Sequence, residues 1–256
     1  MIDKTAIIYK GAQIDDSTDV GPYTVIKDGV KIGKNNKIAS NVVIEGNTII
    51  GDNNKIFQFA SIGSIPQDLK YKGEDTKLVI GNNNIIREYA TFNIGTVTGQ
   101  GITLIGDFNL FMMHVHVAHD CTIGNHTIFA NNATLAGHIE IHDYAILGGI
   151  CAIHQFVRVG ESALIAGGSM VVQDVPPYLV ASGDRAKIYG INRIGLERRG
   201  FSKEEINKIK NAFKIIYKSK VTTKAALEKI KLELNGSDKI EKFTNFIEKS
   251  KRGITR

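Results

Sequence analysis

Residues 105–171 read IGDFNLFMMHVHVAHDCTIGNHTIFANNATLAGHIEIHDYAILGGICAIHQFVRVGESALIAGGSMV, and every sixth residue in this stretch is apolar. The series comprises Ile105, Phe111, Val117, Ile123, Phe129, Leu135, Ile141, Leu147, Ile153, Val159, Ile165 and Val171. An α-helix repeats every 3.6 residues and a simple strand every 2, so neither element explains this period. A hexapeptide period is typical of a parallel β-helix, in which three hexapeptides make one triangular coil.

The residue two positions before each apolar residue is usually small, as at Ala133 and Cys121. A narrow interior requires large and small side chains to alternate. Both cysteines, Cys121 and Cys151, occupy this small position, so we expect buried thiols that pack and form neither a disulfide nor a metal pair. Glycine often follows the apolar residue, as at Gly106 and Gly124, which predicts tight corners there.

The same period runs through the N-terminal part of the chain, at Ile8, Ile14, Val20, Ile26, Ile32, Ile38, Ile44, Ile50, Ile56 and Ile62. Residues 64–79 (SIPQDLKYKGEDTKLV) are polar and break the pattern, which predicts a loop inserted at a corner. Ile80 lies 18 residues after Ile62, so the register survives this loop. A second break at 93–104 shifts the register by one residue. Loops that leave a rigid solenoid often carry function.

The repeat is expected to stop at Val175-Pro176-Pro177, because proline cannot continue strand hydrogen bonding. We therefore predict two domains, a β-helix over residues 1–177 and a connector with a helical domain over 178–256. Helices are expected over FSKEEINKIKNAFKIIYKS (201–219), 223–234 and 238–250, with 178–191 as the connector. Ser202 and Glu205 form a predicted capping box at the start of the first helix. The helical part would cap one open end of the coil.

Charge is distributed unevenly along the chain. Residues 192–256 hold 18 Lys and Arg against 8 Asp and Glu, a surplus of +10. The whole chain carries +6, so residues 1–191 carry about −4. A basic helical end favours an acidic partner, although a solubilising lysine-rich face gives the same pattern. No recognised nucleic-acid motif occurs, so no nucleic-acid partner is expected.

The N-terminal sequence MIDKTAIIYKGAQI lacks the apolar core of a signal peptide. No apolar run approaches the roughly 20 residues that a transmembrane helix needs. We therefore expect a soluble cytoplasmic protein without a transmembrane segment.

Histidines are concentrated in and after HVHVAHDC, residues 114–121. The interior is too narrow for imidazoles, so these side chains should point outward or lie at corners. His119 lies 18 residues before Gly137, which places one patch on adjacent coils: His119, Asp120, Gly137 and His138. A histidine beside an aspartate is suited to act as an oriented base, and a glycine N–H is suited to hold an oxyanion. A surface or subunit-interface role for any single histidine explains its presence equally well.

Six strings carry a more specific resemblance: QDLKY (67–71), AHDCTIGN (118–125), ANNATLAGH (130–138), HQF (154–156), QDVPPY (173–178) and GLERRGFS (195–202). The chain resembles the UDP-N-acetylglucosamine O-acyltransferase family of lipid A biosynthesis over almost all of its length. The resemblance implies a left-handed parallel β-helix followed by a C-terminal α-helical domain. It also implies a cytoplasmic homotrimer with active sites between subunits. The implied reaction moves an (R)-3-hydroxyacyl chain from acyl carrier protein to the glucosamine 3-hydroxyl of UDP-N-acetylglucosamine.

The resemblance implies a role for each matching residue. His119 matches the general base, Asp120 the group that orients it, and the Gly137 N–H the oxyanion donor. The family's contacts to sugar and phosphate are matched by Gln67, Asp68, Lys70, His116 and His138. Its His-Gln pair in the active-site cleft is matched by His154 and Gln155. Nucleotide contacts match Asn192, Arg198 and Arg199, and Gly167 matches the floor of the acyl groove. No metal or cofactor is implied, because transfer from a thioester needs a base and an oxyanion site.

Two positions depart from the family pattern. The chain has Asn93-Ile94-Gly95-Thr96 where the family usually has His-Arg-Gly-Thr, and Ile194 where an acidic residue is frequent. Because of these departures, an alternative reaction stays open, in which the same acyl chain is transferred to the 3-amino group of a UDP-diamino sugar. The HxHxxH spacing also suggests a γ-class carbonic anhydrase with a three-histidine zinc site, and a non-catalytic solenoid scaffold is a third alternative.

Overall fold

A computed structural model describes residues 1–219 and 221–256, and the chain forms a left-handed parallel β-helix followed by helices. Successive strands alternate among three sheets, which we number 1 to 3. Edge 1 joins sheets 1 and 2, edge 2 joins sheets 2 and 3, and edge 3 joins sheets 3 and 1. The hexapeptide period thus produces the predicted triangular coil.

The strands of each sheet stack in parallel, one coil apart, except for the last strand of sheet 3, which is antiparallel. Sheet 1 contains Ile7–Ile8, Val25–Ile26, Val43–Ile44, Ser61–Ser64, Thr91–Asn93, His116–Val117, Thr134–Leu135, Ala152–Ile153 and Met170–Val171. Sheet 2 contains Gln13–Ile14, Lys31–Ile32, Asn47–Ile50, Lys77–Ile80, Ile102–Ile105, Thr122–Ile123, Glu140–Ile141 and Arg158–Val159. Sheet 3 contains Asp19–Val20, Lys37–Ile38, Lys55–Ile56, Ile85–Ile86, Leu110–Phe111, Ile128–Phe129, Ile146–Leu147, Leu164–Ile165, Leu179–Ser182 and Lys187–Ile191.

The second residue of most short strands points into the coil and is fully buried, as at Val117 and Leu135. The small positions are buried as well, and Cys121 and Cys151 are free thiols in the interior. Burial raises the pKa of the Cys121 thiol to about 12, so it stays protonated and acts as a small apolar side chain. The predicted packing role of both cysteines is confirmed.

The chain turns at its edges through residues with left-handed backbone angles, and many of them are not glycine. Asp120 (φ +58), His138 (φ +61) and Tyr144 (φ +60) are examples. Gly106 opens a corner as predicted, between the strands Ile102–Ile105 and Leu110–Phe111, but the left-handed angle of that corner belongs to Phe108 (φ +58). A Cβ on Gly106 would lie 2.6 Å from the Gly124 carbonyl oxygen of the next coil, so glycine at this position allows the coils to approach.

Buried asparagines form a ladder inside edge 2. The backbone N–H of each member donates to the side-chain oxygen of the asparagine one coil earlier: Asn54 to Asn36, Asn84 to Asn54 and Asn109 to Asn84, each at 2.9 Å. The sequence separations are 18, 30 and 25 residues. The two longer steps contain the two predicted loops, which the structure places at residues 65–76 and 94–101, both at edge 1.

The connector predicted over residues 178–191 contains two strands. Leu179–Ser182 continues sheet 3 in parallel with Leu164–Ile165, and Lys187–Ile191 pairs with it in antiparallel fashion. Val180 and Ala181 align with Leu164 and Ile165, so the sheet extends past the predicted end of the repeat. The domain boundary at residue 177 stays a prediction.

The described residues contain four helices, α1 (Arg193–Arg198), α2 (Lys203–Lys218), α3 (Thr223–Glu233) and α4 (Asp238–Glu248). The predicted capping box of α2 is present, with Ser202 and Glu205 exchanging hydrogen bonds. Helix α1 was not predicted from the sequence. Helices α2 to α4 pack their apolar faces together with Tyr178 and Leu196. Within the described part of the chain, no helix combines the length and apolarity needed to cross a bilayer.

Candidate active site

The two loops of edge 1 support each other at their bases. The Asn93 side-chain amide donates to the carbonyl oxygens of Ser64 (3.2 Å) and Ile65 (3.0 Å), where the 65–76 loop begins. At the other end of that loop, the Thr76 hydroxyl donates to the Gly95 carbonyl oxygen at 2.6 Å. The 94–101 loop therefore fixes both ends of the loop that carries the QDLK string.

His119 and Asp120 lie at edge 1 beside these loops. Asp120 is fully buried, and the His119 side chain is 15% exposed. His119 Nδ1 lies 2.8 Å from Asp120 Oδ2. The left-handed angle of Asp120 turns the chain sharply, so neighbouring side chains meet although an extended strand would point them apart.

The Asp120 carboxylate accepts several further hydrogen bonds from the 94–101 loop. Oδ2 accepts from the Thr96 hydroxyl at 2.6 Å, and Oδ1 accepts from the Gln100 and Gly101 N–H groups at 2.8 and 3.2 Å. Burial would raise the Asp120 pKa, but the hydrogen bonds from His119 and Thr96 outweigh it and lower the pKa to about 2. Asp120 is therefore an anion at neutral pH. The neutral His119 ring must carry its proton on Nδ1, which leaves the Nε2 lone pair free.

Gly137 lies directly against the His119 ring, as the 18-residue spacing predicts. A Cβ at residue 137 would lie 2.6 Å from His119 Cε1, so no larger residue fits there without moving the imidazole. The next residue, His138, donates its backbone N–H to the His119 carbonyl oxygen at 3.0 Å. The Gly137 N–H has no hydrogen-bond acceptor within the described residues, so it is available to an oxygen atom in the cleft.

His138 and His116 surround His119. The His138 ring meets the His119 ring edge-on at 5.0 Å and stacks on Phe156 at 4.5 Å. Burial lowers the His138 pKa, against the opposing effect of the Asp120 charge. His116 Nδ1 lies 2.8 Å from the Thr91 hydroxyl, and burial together with nearby His119 lowers the His116 pKa. Both imidazoles are therefore favoured in the neutral form at pH 7.

The three histidines of HVHVAH do not converge on a metal. His114 lies at edge 3, where its ring stacks on Tyr89 at 4.8 Å. In the described residues, the ligand atoms of His119, Asp120 and His138 lie within 4.8 Å of one another. A metal bound there would compete with the hydrogen bonds that already occupy both Asp120 oxygens. The site therefore fits an oriented base better than a metal centre.

The loop residues Gln67, Asp68 and Lys70 lie over this edge, with Gln67 and Lys70 exposed. Asp68 accepts the Lys70 N–H at 2.9 Å, which shapes the tip of the loop. The Asp68 charge also acts to raise the His138 pKa, although burial lowers it overall. His154 and Gln155 lie at the same edge one coil further, and His154 Nδ1 lies 3.4 Å from an Arg252 guanidinium nitrogen.

The remaining matched residues lie at other edges of the same chain. Gly167 is exposed at edge 3, and a Cβ there would lie 3.2 Å from the Gly149 carbonyl oxygen. Asn192 is buried above edge 2, where it caps α1 and donates to the Ser162 carbonyl oxygen at 3.0 Å. The structure does not bring these residues together with His119 within one chain.

Arg198 and Arg199 lie at the end of α1, next to edge 2, and differ in their contacts and in their exposure. Arg199 contacts the Glu161 carboxylate at 2.8 Å, and its guanidinium lies 3.6 Å from the centre of the Tyr144 ring. Glu161 is buried and also binds Lys242 of α4 at 2.6 Å. Arg198 is exposed, so its side chain is the one free to reach a ligand.

The departures from the family pattern lie beneath the loops and on α1. Asn93 and Ile94 are each 3% exposed, and Ile94 packs against Gly46. Ile194 is 64% exposed on α1. Sequence reasoning missed the roles of Thr96 and Gln100 at Asp120. The register break over 93–104 was the available signal that this segment leaves the coil.

The comparisons with known proteins agree with the resemblance. A family model described as "Udp N-acetylglucosamine O-acyltransferase; Domain 2" matches residues 174–255, and a bacterial transferase hexapeptide model matches 102–137. Proteins named acyl-[acyl-carrier-protein]–UDP-N-acetylglucosamine O-acyltransferase are 54% identical in Thermodesulfovibrio yellowstonii and 56% identical in Neisseria meningitidis. Each match covers 100% of this chain and 99% of the relative. The crystal structure of a UDP-N-acetylglucosamine acyltransferase from Bacteroides fragilis has a TM-score of 0.98 and 46% identity, with 100% of both chains covered.

Proposed function

Because this chain belongs to the UDP-N-acetylglucosamine O-acyltransferase family, we propose that it catalyses the first step of lipid A biosynthesis in the cytoplasm. It transfers an (R)-3-hydroxyacyl chain from acyl carrier protein to the glucosamine 3-hydroxyl of UDP-N-acetylglucosamine. The observation that carries this proposal is the arrangement of His119, Asp120 and Gly137. His119 Nδ1 bonds a buried anion, and among the described residues neither His119 Nε2 nor the neighbouring Gly137 N–H has a hydrogen-bond partner.

The reaction follows from this geometry. His119 Nε2 removes the proton of the sugar 3-hydroxyl while that oxygen attacks the thioester carbonyl carbon. The new C–O bond pushes negative charge onto the carbonyl oxygen, where the Gly137 N–H donates a hydrogen bond. The C–S bond then breaks, and the thiolate takes the proton from the His119 imidazolium. Asp120 remains ionised throughout and stabilises the imidazolium.

The acceptor sugar would bind between the 65–76 loop and the histidines of edge 1. Lys70 supplies an exposed cation for the diphosphate, and Asp68 and Gln67 supply polar groups for the sugar hydroxyls. His116 and His138, favoured in the neutral form, donate and accept hydrogen bonds without adding charge near the base. His154 and Gln155 continue the same polar surface one coil further.

We propose that three chains assemble around sheet 3. The outward positions of this sheet form an apolar stripe that is half-buried in one chain: Ile85, Leu110, Ile128, Ile146 and Leu164. A second copy of the chain would cover it and bring edge 2 or edge 3 of one subunit towards edge 1 of the next. This assembly would place either Asn192 and Arg198 of edge 2 or Gly167 of edge 3 near His119 of the neighbouring subunit.

Light scattering of the purified protein tests the assembly by its mass. Mixed trimers of inactive His119→Ala and Arg198→Glu chains test the shared site. If the base and the arginine come from different subunits, mixing restores part of the activity. Failure of mixed trimers to regain activity would assign both residues to one subunit.

Acyl carrier protein would approach from the helical end. A groove of about 950 Å³ runs from His138 and Phe156 to the C-terminal residues Lys249, Lys251 and Arg252. One end of this groove meets the catalytic edge and the other meets the basic surface, so an acidic carrier could dock there while its thioester reaches His119.

Mass spectrometry of the product is the decisive experiment. Purified protein is incubated with (R)-3-hydroxyacyl carrier protein of several chain lengths and with UDP-N-acetylglucosamine or its 3-amino analogue. An ester of UDP-N-acetylglucosamine that depends on His119 is the expected product. An amide formed only with the analogue would favour the diamino sugar, an acceptor that Asn93, Ile94 and Ile194 leave open. No acylated sugar with either acceptor would overturn the proposal.

A further inference from the structure

The 94–101 loop wraps around the Asp120 carboxylate, and Thr96 makes the shortest contact. Thr96 is 2% exposed, and its hydroxyl lies 2.6 Å from Asp120 Oδ2. Its N–H lies 3.1 Å from Oδ2 and 3.2 Å from Oδ1. Both polar groups of one residue are therefore directed at the anion that binds His119.

The direction of the short hydrogen bond is fixed by chemistry. Asp120 is ionised, so the Thr96 hydroxyl must donate its proton to Oδ2. The same Oδ2 accepts from His119 Nδ1 at 2.8 Å. On the other side, Oδ1 is held by the Gln100 and Gly101 N–H groups. The carboxylate cannot rotate without losing several of these bonds, so Oδ2 stays directed at His119.

The same loop also connects Asp120 to the proposed sugar-binding loop. The Gly95 carbonyl oxygen accepts from the Thr76 hydroxyl, and the Gly95 N–H donates to the Lys77 carbonyl oxygen at 3.0 Å. Thr96 is the next residue after this junction. The orientation of the base and the position of the loop that holds its substrate are thus fixed by consecutive residues.

We propose that Thr96 is a positioning residue, which holds the Asp120 carboxylate so that His119 keeps its proton on Nδ1 and presents Nε2 to the substrate. This inference rests on the proposed reaction. Removal of the hydroxyl leaves Oδ2 free to turn and leaves the imidazole free to adopt the opposite tautomer. The base would then be misdirected although both of its residues are present.

The kinetic test compares Thr96→Val with Thr96→Ser and with Thr98→Val. Valine replaces the hydroxyl by a methyl group of similar size, and serine restores the hydroxyl. Thr98 is exposed in the same loop, and its hydroxyl contacts Thr96 but not the carboxylate. We expect Thr96→Val to lower kcat about 10- to 100-fold, by analogy with the loss of a residue that orients a metal-binding side chain. KM for both substrates should change little, and Thr96→Ser and Thr98→Val should keep most of the activity.

Nitrogen NMR of the imidazoles gives a readout that needs no substrate. The His119 signals are assigned by their loss in His119→Ala. We expect the Nδ1–H tautomer in the wild type and in Thr96→Ser, and a mixture of tautomers in Thr96→Val. If the valine variant does not fold, Thr96→Ala removes the same hydroxyl without placing a methyl group against the carboxylate.

Two results would overturn the proposal. One is a Thr96→Val protein with wild-type kcat and tautomer. The other is a loss in Thr96→Val that Thr96→Ser does not restore, which would indicate a packing role for the threonine. A wild-type protein with the Nδ1–H tautomer but no acyl transfer would contradict the proposed function and leave the positioning contact in place.

Discussion

Edges 1 and 2 of the β-helix each contain a buried carboxylate, but the two carboxylates are used differently. Asp120 at edge 1 accepts hydrogen bonds from neutral donors and from His119, whose second nitrogen stays free. Glu161 at edge 2 is neutralised by Arg199 and Lys242, and these contacts attach the helices to the coil. Asp120 is thus placed to orient an imidazole, whereas Glu161 is placed to hold the helices on the coil.

Replacing His119 with Ala removes the imidazole that is hydrogen-bonded to Asp120, so it should have the largest effect. A positioned base contributes roughly 10²–10⁴-fold to the rate. Turnover should fall at least that far, while the protein stays folded because Asp120 keeps its hydrogen bonds from the 94–101 loop. Steady-state kinetics and thermal melting measure the two effects. A variant that keeps a third of the wild-type activity would contradict the assignment of the base.

Gly137→Ala tests the same edge without removing any polar group. The added Cβ would lie 2.6 Å from His119 Cε1, so the imidazole must move away from its position beside the free N–H. We expect turnover to fall by about 100-fold, within the range for loss of an oxyanion donor or of base alignment. Gly190→Ala is a useful control, because its surroundings are open and its φ lies outside the left-handed region. Equal losses in the two variants would indicate a general effect of glycine replacement.

Gly167→Met extends the comparison to edge 3, where no polar cluster is involved. If Gly167 lines the acyl groove, a methionine side chain fills the space of about three methylenes, each worth about 0.8 kcal/mol when buried. Transfer of the longest chains should fall by roughly 50-fold while shorter chains remain substrates. A competition assay with carrier-protein thioesters of different lengths measures this. An unchanged length profile would place the acyl groove elsewhere.

Arg199→Ala and Arg198→Ala separate stability from binding at edge 2. Loss of Arg199 leaves Glu161 with Lys242 alone and removes the contact with Tyr144. We expect about 2 kcal/mol of destabilisation, less than for a fully buried ion pair, and a melting temperature lower by roughly 4–8 °C. Arg198 has an exposed side chain, so its replacement should raise KM for the UDP sugar without lowering the melting temperature. A stability loss in Arg198→Ala instead would reverse the roles assigned to the two arginines.

Salt should affect KM for acyl carrier protein and kcat differently, and this is the smallest of the expected effects. The Debye length falls from about 10 Å at 0.1 M to about 3 Å at 1 M, so docking of an acidic carrier on the basic tail weakens. KM for acyl carrier protein should rise several-fold with salt. The value of kcat should not rise or fall, because it depends on His119 and on buried Asp120, which salt screens little. Charge reversal of exposed Lys249 and Lys251 should imitate high salt. If KM ignores both changes, the basic tail is a solubilising face.

The sequence was sufficient to predict the coil, because the hexapeptide period depends only on which side chains face inward. The positions of His119 and Gly137 followed from the same period, since residues one coil apart lie in contact. The left-handed angles of the corners were not predictable from glycine, because residues such as His138 and Tyr144 adopt such angles when the stacked coils hold them there.

The roles of Thr96 and Arg199 could not be obtained in this way. Thr96 belongs to a segment that leaves the period, so its contact with Asp120 depends on how the loop folds back. Arg199 matched a nucleotide contact, but no pattern in the sequence indicates that its guanidinium contacts Glu161 and Tyr144. Both contacts arise from packing between segments that no periodicity relates.

The buried asparagine ladder lets an edge 1 loop change in length, by evolution or by engineering, while the coils stay aligned. Its rungs keep the same 2.9 Å hydrogen bond whether 18, 30 or 25 residues separate them. Extra chain can thus be added at edge 1 while the opposite edge keeps neighbouring coils aligned. The exposed tip of the 65–76 loop could be exchanged for one of new length and composition without repacking the interior, whereas the 94–101 loop must stay because it holds Asp120. Acceptor preference and core stability are therefore open to separate selection.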